Sequence, residues 1–208
     1  MSVQRHRAVR VKLCGLSRPE DVAAANEARP DYVGFVVDVP RSHRSVAATE
    51  LPGLARRVAA GIRRVGVFVD EPIERVAALH ANGAIDVAQL HGQEDASYVA
   101  ELRSACDMPV IQAFRIRSRD DVRRAEESTA DLVLLDNGQG TGKSFDWTLV
   151  REVCRPFMLA GGLDPSNVAA AICTVRPWGV DMSSGIETAG TKDPTKMMEA
   201  VRAARGAI

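Results

Sequence analysis

Eight short, β-branched apolar runs recur along the chain, separated by amphipathic segments rich in Ala, Arg and Glu. They fall at 9–14, 31–37, 63–69, 86–90, 109–114, 131–135, 157–160 and 178–182, with starts 21 to 32 residues apart. That interval holds a strand, a crossover helix and two loops, so each unit predicts a parallel strand followed by a helix. Several runs are apolar at consecutive positions, as in Leu132-Val133-Leu134-Leu135 and Val67-Phe68-Val69, which suits a sheet covered on both faces. Eight such units predict an α/β protein of the (β/α)8 TIM barrel class, a single domain over residues 1–208. An open doubly wound sheet is the alternative.

Helix starts agree with this division. Ser17-Arg18-Pro19-Glu20 has the form of a capping box, Ser118 with Asp121 resembles one, and Asp164-Pro165 places a cap ahead of a first-turn proline. The segment 193–204 reads as the last helix of the ring. A content of 46% hydrophobic residues in 208 suffices for one sizeable core. Lys+Arg and Asp+Glu balance at 27 each, so net charge draws the protein toward neither nucleic acid nor an anionic membrane. No apolar run approaches the length of a membrane span, and Met1-Ser-Val-Gln-Arg-His-Arg7 lacks the apolar core of a signal peptide. The expectation is a cytoplasmic protein with no nucleic-acid or membrane partner. Cys14, Cys106, Cys154 and Cys173 show neither metal-ligand nor disulfide-framework spacing, so no metal is expected.

In a barrel of this class, function gathers where the strands end. The residues there are Cys14, Arg44, Gln89, Arg115, Asp136, Gly161, Gly162 and 181–185. Asp136 ends an apolar run and opens a glycine-rich loop, a position that serves chemistry better than packing. Gly161-Gly162 follows the seventh run and Ser183-Ser184-Gly185 the eighth. A Gly-Gly pair by itself is most simply a tight turn. Two such loops in consecutive units point instead to exposed amides that hold a phosphate, since unpaired N–H groups and a helix start stabilise a dianion.

Taken in order, Val11-Lys-Leu-Cys14-Gly-Leu, Val65-Gly-Val-Phe-Val69, Gln89-Leu-His-Gly92, Leu135-Asp136, Gly140-Thr-Gly, Phe145-Asp-Trp147, Leu159-Ala-Gly-Gly-Leu163 and Val180-Asp-Met-Ser-Ser-Gly185 make a pattern over nearly the whole chain. It resembles the phosphoribosylanthranilate isomerase family of tryptophan biosynthesis. The resemblance implies an Amadori rearrangement of N-(5-phosphoribosyl)anthranilate to 1-(2-carboxyphenylamino)-1-deoxyribulose 5-phosphate without metal or organic cofactor. It assigns Asp136 as general acid and Cys14 as general base, roles that require the surroundings to bring a carboxyl near 3.9 and a thiol near 8.5 toward neutrality. It gives Arg44 the anthranilate carboxylate and Asp181 the sugar hydroxyls. It implies that Gly161, Gly162, Ser183, Ser184 and Gly185 hold the phosphate and that Gly140 belongs to a loop that closes over the sugar. Small barrels of this kind are monomers or homodimers.

The loop after Asp136, Gly138-Gln-Gly140-Thr-Gly142, is shorter than is usual in the family. His91 reads as a structural histidine because both proton-transfer roles are filled, and Arg41 and His43 read as loop surface. Three other functions stay open. One is the analogous rearrangement of the histidine-pathway aminoaldose, for which enzymes typically carry aspartate in place of Cys14. The second is indole-glycerol-phosphate synthesis, which calls for lysine and glutamates at strand ends. The third is a barrel that binds phosphorylated ligands without turnover.

Overall fold

A computed structural model describes residues 9–136 and 149–207. Eight parallel strands form the barrel: β1 Arg10–Cys14, β2 Tyr32–Val37, β3 Arg63–Phe68, β4 Val87–Leu90, β5 Val110–Arg115, β6 Leu132–Asp136, β7 Phe157–Leu159 and β8 Gly179–Met182. Each pairs with its neighbours in sequence. β1 pairs with β2 on one side, Cys14 against Gly34, and with β8 on the other, Lys12 against Asp181. The double pairing of β1 closes the ring and excludes the open sheet. Every strand boundary lies within one residue of its sequence prediction at the N-terminal end.

Alternation along the strands sorts the core into two bodies, because successive side chains point to opposite faces. From β1, Val11 and Leu13 join the large shell packed beneath the helices. The barrel interior is smaller and is filled by Cys14, Val65, Val67, Val87, Ile111, Leu134, Met158 and Ala160. Lys12, two residues before Cys14 on the same face, enters this interior with no exposed surface.

Among the described residues seven helices surround the barrel: α1 Pro19–Ala28, α2 Leu51–Ala55, α3 Ile73–Ala81, α4 Ala96–Ala105, α5 Arg119–Glu126, α6 Val168–Val175 and α7 Pro194–Arg205. One full helix per strand was expected, and two units depart from that. After β2 the chain forms a two-residue parallel strand, Ser45–Val46, and then only α2, whose Pro52 and Gly53 are poor helix interior residues. After β6 the described residues contribute a 3-10 turn, Leu149–Glu152. α1 also starts differently. Pro19 occupies its first turn and holds Arg18 in extended conformation, so the cap is Arg18 with Asp21, and the expected Ser17–Glu20 box does not form. Asp21 accepts from the amides of Ser17 and Arg18. The box of Ser118 and Asp121 forms as predicted. Asp164 caps the turn at Ser166 and Asn167, one step ahead of α6. α7 packs against α1, completing the outer ring. Among the described residues no helix is long and apolar enough to cross a membrane.

Candidate active site

The C-terminal ends of the strands enclose a cavity of about 270 Å³ whose walls include Cys14, Arg44, Gln89, His91, Asp136, Gly161, Gly162, Asp181, Ser183 and Ser184. Sequence reasoning gathered nearly this set. A larger cleft of about 850 Å³ adjoins it over β4 to β6, shares Val69, His91 and Asp136 with it, and carries Arg115 and Arg41 on its walls. Gly140 lies outside the described residues. Arg41 and His43 are exposed, in keeping with loop surface.

Cys14 ends β1 and is 7% exposed. Its sulfur sits over Gly34 of the neighbouring strand, where a Cβ would lie 2.7 Å from Sγ and 3.2 Å from Lys12 Nζ. Glycine at 34 is therefore what lets the thiol and the ammonium share that face. Burial pushes the Cys14 thiol up, Lys12 pulls it down, and Asp181 adds to the rise. The expectation that the resting site brings the thiol toward neutrality is thus not met: burial outweighs the cations around the sulfur.

Lys12 was not recognised from sequence as a site residue. Its Nζ donates to Asp181 Oδ2 at 2.9 Å from the adjoining strand. Burial works against its charge, but Asp181 and the Cys14 sulfur outweigh it and hold the ammonium above its ordinary range. The other carboxylate oxygen, Asp181 Oδ1, is buried without a hydrogen-bond partner among the described residues, and so is Gln89 Oε1. Buried acceptors are rarely left unpaired, and both belong to side chains on the cavity wall. Ser183 Oγ donates to the Cys14 carbonyl and not to Asp181.

Asp136 ends β6 in register with Arg115 of β5, and its carbonyl accepts from the Ile116 amide. It faces the same cavity as Cys14. Gln89 Nε2 and His91 Nδ1 are 3.2 Å apart. Burial lowers the His91 pKa, against the pull of Asp136, so the ring is neutral at neutral pH.

Arg44 reaches over Gly15, whose positive φ of 76° and missing Cβ leave room for the arginine stem. Its fork is engaged: Nε donates to Glu187 Oε1 at 2.6 Å and an Nη2 hydrogen to Oε2 at 2.7 Å. Glu187 also accepts from Lys192 Nζ at 2.6 Å across the ribbon Glu187–Thr188/Thr191–Lys192. Burial raises the Glu187 carboxyl, but the bonds from Arg44 and Lys192 bring it down to about 2. Neither Glu187 nor Lys192 was anticipated: the Arg44 that Glu187 binds lies 143 residues away, and Lys192 enters the cluster through Glu187.

The two glycine loops meet. Gly161 and Gly162 take φ of 96° and 67°, and the Gly162 carbonyl accepts from Asn167 Nδ2. A Cβ on Gly185 would collide with the Leu163 carbonyl oxygen, so glycine there is what allows the loops after β7 and β8 to touch. The amides of Gly161, Gly162, Ser184 and Gly185 donate to no backbone acceptor among the described residues. Such unpaired N–H groups are what an oxyanion requires.

Comparison with known proteins identifies the family. The family model for N-(5'-phosphoribosyl)anthranilate isomerase matches residues 11–203. N-(5'-phosphoribosyl)anthranilate isomerase of Caldanaerobacter subterraneus subsp. tengcongensis is 40% identical over 207 residues, covering 96% of this chain and all of the relative. Among solved structures, monomers of the dimeric isomerase from Thermotoga maritima superpose with a TM-score of 0.84 at 34% identity, over 95% of this chain and 99% of theirs. The same enzyme type in complex with reduced 1-(o-carboxyphenylamino)-1-deoxyribulose 5-phosphate gives 0.83 at 34% identity with the same coverage. The chain belongs to the N-(5'-phosphoribosyl)anthranilate isomerase family.

Proposed function

We propose that the cavity carries out the family's aldose–ketose isomerisation in tryptophan biosynthesis with Asp136 as general acid and Cys14 as general base. The observation that carries the assignment is that the two side chains line one cavity with a guanidinium and a pair of unpaired-amide loops. Asp136 protonates the ribose ring oxygen as the C1–O bond breaks, which leaves a protonated Schiff base. The Cys14 thiolate then removes the C2 proton. The C2–H electron pair becomes the C1=C2 bond, and the C=N pair moves to nitrogen, neutralising it. Ketonisation transfers a proton to C1 as the enol hydroxyl loses one, and exchange with water restores both side chains. One acid and one base suffice, so the route requires no cofactor.

The phosphate belongs on the amides of Gly161, Gly162, Ser184 and Gly185, with Ser183 fixing the second loop through the Cys14 carbonyl. Asp181 Oδ1 accepts from a sugar hydroxyl, which satisfies its buried lone pairs. Arg44 contacts the anthranilate carboxylate with the guanidinium hydrogens that Glu187 leaves unengaged. The same reading makes the protein a cytoplasmic monomer or homodimer acting on a small phosphorylated substrate.

Decay of anthranilate-ring fluorescence on phosphoribosylanthranilate made in situ, corrected for spontaneous hydrolysis, tests the assignment. Turnover by the wild type falls ~10²–10⁴-fold in Cys14→Ala and in Asp136→Ala. Full activity in either variant overturns that residue's role.

A further inference from the structure

A lysine with no exposed surface beside the apolar interior cluster of Val, Ile, Leu, Met and Ala calls for an explanation other than stability. Replacing a buried ion pair by apolar side chains of similar size is often neutral or stabilising. The Lys12–Asp181 pair also leaves one carboxylate oxygen unsatisfied, so it is not a closed structural unit. Three placements converge on the sulfur. Lys12 and Cys14 share a face of β1, two residues apart. Gly34 opens the space beside both Sγ and Nζ. Asp181 grips one ammonium hydrogen from β8 and leaves two for other acceptors.

We infer that Lys12 is the positioning cation of the Cys14 base: its ammonium, tethered by Asp181, holds the negative charge of the thiolate that takes the C2 proton. This rests on the reading of Cys14 as base. Lys12 Nζ and Cys14 Sγ lie within 3.2 Å and 2.7 Å of the point a Gly34 Cβ would occupy, so the ammonium stands beside the sulfur and acts through Cys14.

The other charges around the sulfur fit this role. Lys192 and Arg44, from the loops after β8 and β2, add positive charge, while Asp181 opposes. Across the cavity stand Asp136 and the neutral ring of His91. Lys12 is the largest influence that favours the thiolate, against burial. A sugar hydroxyl donated to Asp181 would weaken that carboxylate's hold on the ammonium and free it for the sulfur, so substrate arrival and base activation are coupled.

The test uses full-length protein in which Cys106, Cys154 and Cys173 are serine, so that thiolate absorbance near 240 nm reports Cys14 alone. Without substrate, Lys12→Met raises the titration midpoint by at least about one pH unit, and kcat at neutral pH drops about tenfold or more with KM little changed. Lys12→Arg, which keeps the charge, returns the midpoint toward wild type. A midpoint unmoved in Lys12→Met overturns the proposal even if activity is lost, because a merely structural lysine would lower stability without moving the thiol. Should Lys12→Met not fold, the wild type decides: the Lys12 ¹³Cε resonance shows an inflection at the pH where Cys14 ¹³Cβ titrates, and its absence overturns the proposal. Turnover by Cys14→Ala is read separately. If it persists, the base assignment fails, while the titrations still report whether Lys12 governs the thiol.

Discussion

Two carboxylate–cation clusters flank the cavity and differ in what surrounds them. Lys12–Asp181 lies inside the barrel, with side chains 0% and 9% exposed and one oxygen unpaired. Arg44–Glu187–Lys192 lies at the rim, where the Arg44 side chain is 24% exposed, those of Glu187 and Lys192 are buried at 7% and 3%, and both Glu187 oxygens are bonded. A satisfied cluster with access to water behaves as a clamp, fixing the orientation of Arg44. An unsatisfied cluster whose cation is fully buried behaves as a source of field and of acceptor capacity, because charges act more strongly where water is excluded. On the proposed reading the interior pair bears on proton transfer and the rim cluster on substrate orientation.

Breaking the interior pair should have the largest effect. Asp181→Ala leaves the Lys12 ammonium buried and uncompensated, and urea unfolding should show a loss of about 3–5 kcal/mol. A loss below about 1 kcal/mol would mean that water or a rearranged side chain already screens Lys12, and the contrast with the rim would collapse.

The rim cluster comes next, and pH separates it from the interior. The Glu187 carboxyl stands at about 2, below its ordinary 4.5. A depressed carboxylate contributes stability that is fully present above the unfolded value and is lost as pH falls through the folded one. Glu187→Gln should therefore be less stable than wild type by up to about 3 kcal/mol at pH 6, with the gap closing between pH 4.5 and 2. A gap constant over that range would show that Glu187 acts by shape alone.

Gly34→Ala probes the interior without touching a charge. Its new methyl would meet Cys14 Sγ at 2.7 Å and Lys12 Cε at 3.1 Å, and overpacking of this kind costs about 1–3 kcal/mol. A fall in kcat larger than the fall in stability would place the damage at the thiol. Unchanged kinetics would show that the face shared by Lys12 and Cys14 tolerates displacement.

The contrast between the clusters also explains what could be read from the sequence. The barrel was legible because each unit carries its own signal: an apolar run, a helical period, a cap. Cys14, Asp136, Gly161 and Gly162 were legible because barrel geometry assigns strand ends to the site. The shift from Ser17 to Arg18 at the α1 cap was missed because Pro19 outweighed a motif match. Lys12 had a signal that was passed over, a lone charge in Val11-Lys12-Leu13 at period two from Cys14. Glu187 had none, since its importance arises from a contact across 143 residues.

Arg44→Lys is the smallest perturbation and the sharpest probe of the rim. Lysine keeps the charge but loses the planar fork, and so cannot bond both oxygens of Glu187 while still reaching a second carboxylate. KM should rise about tenfold, equivalent to about 1.4 kcal/mol, with kcat little altered, if the group binds the substrate and takes no part in moving protons, as proposed. Glu187→Gln should raise KM in the same direction, since it releases the fork that Glu187 orients. If KM rises only in Arg44→Lys, the guanidinium finds its pose without Glu187, and the rim cluster is a stabilising clamp with no share in recognition. If KM is unchanged in both, the anthranilate carboxylate binds elsewhere, and Arg115, on the wall of the adjoining cleft, becomes the cation to replace.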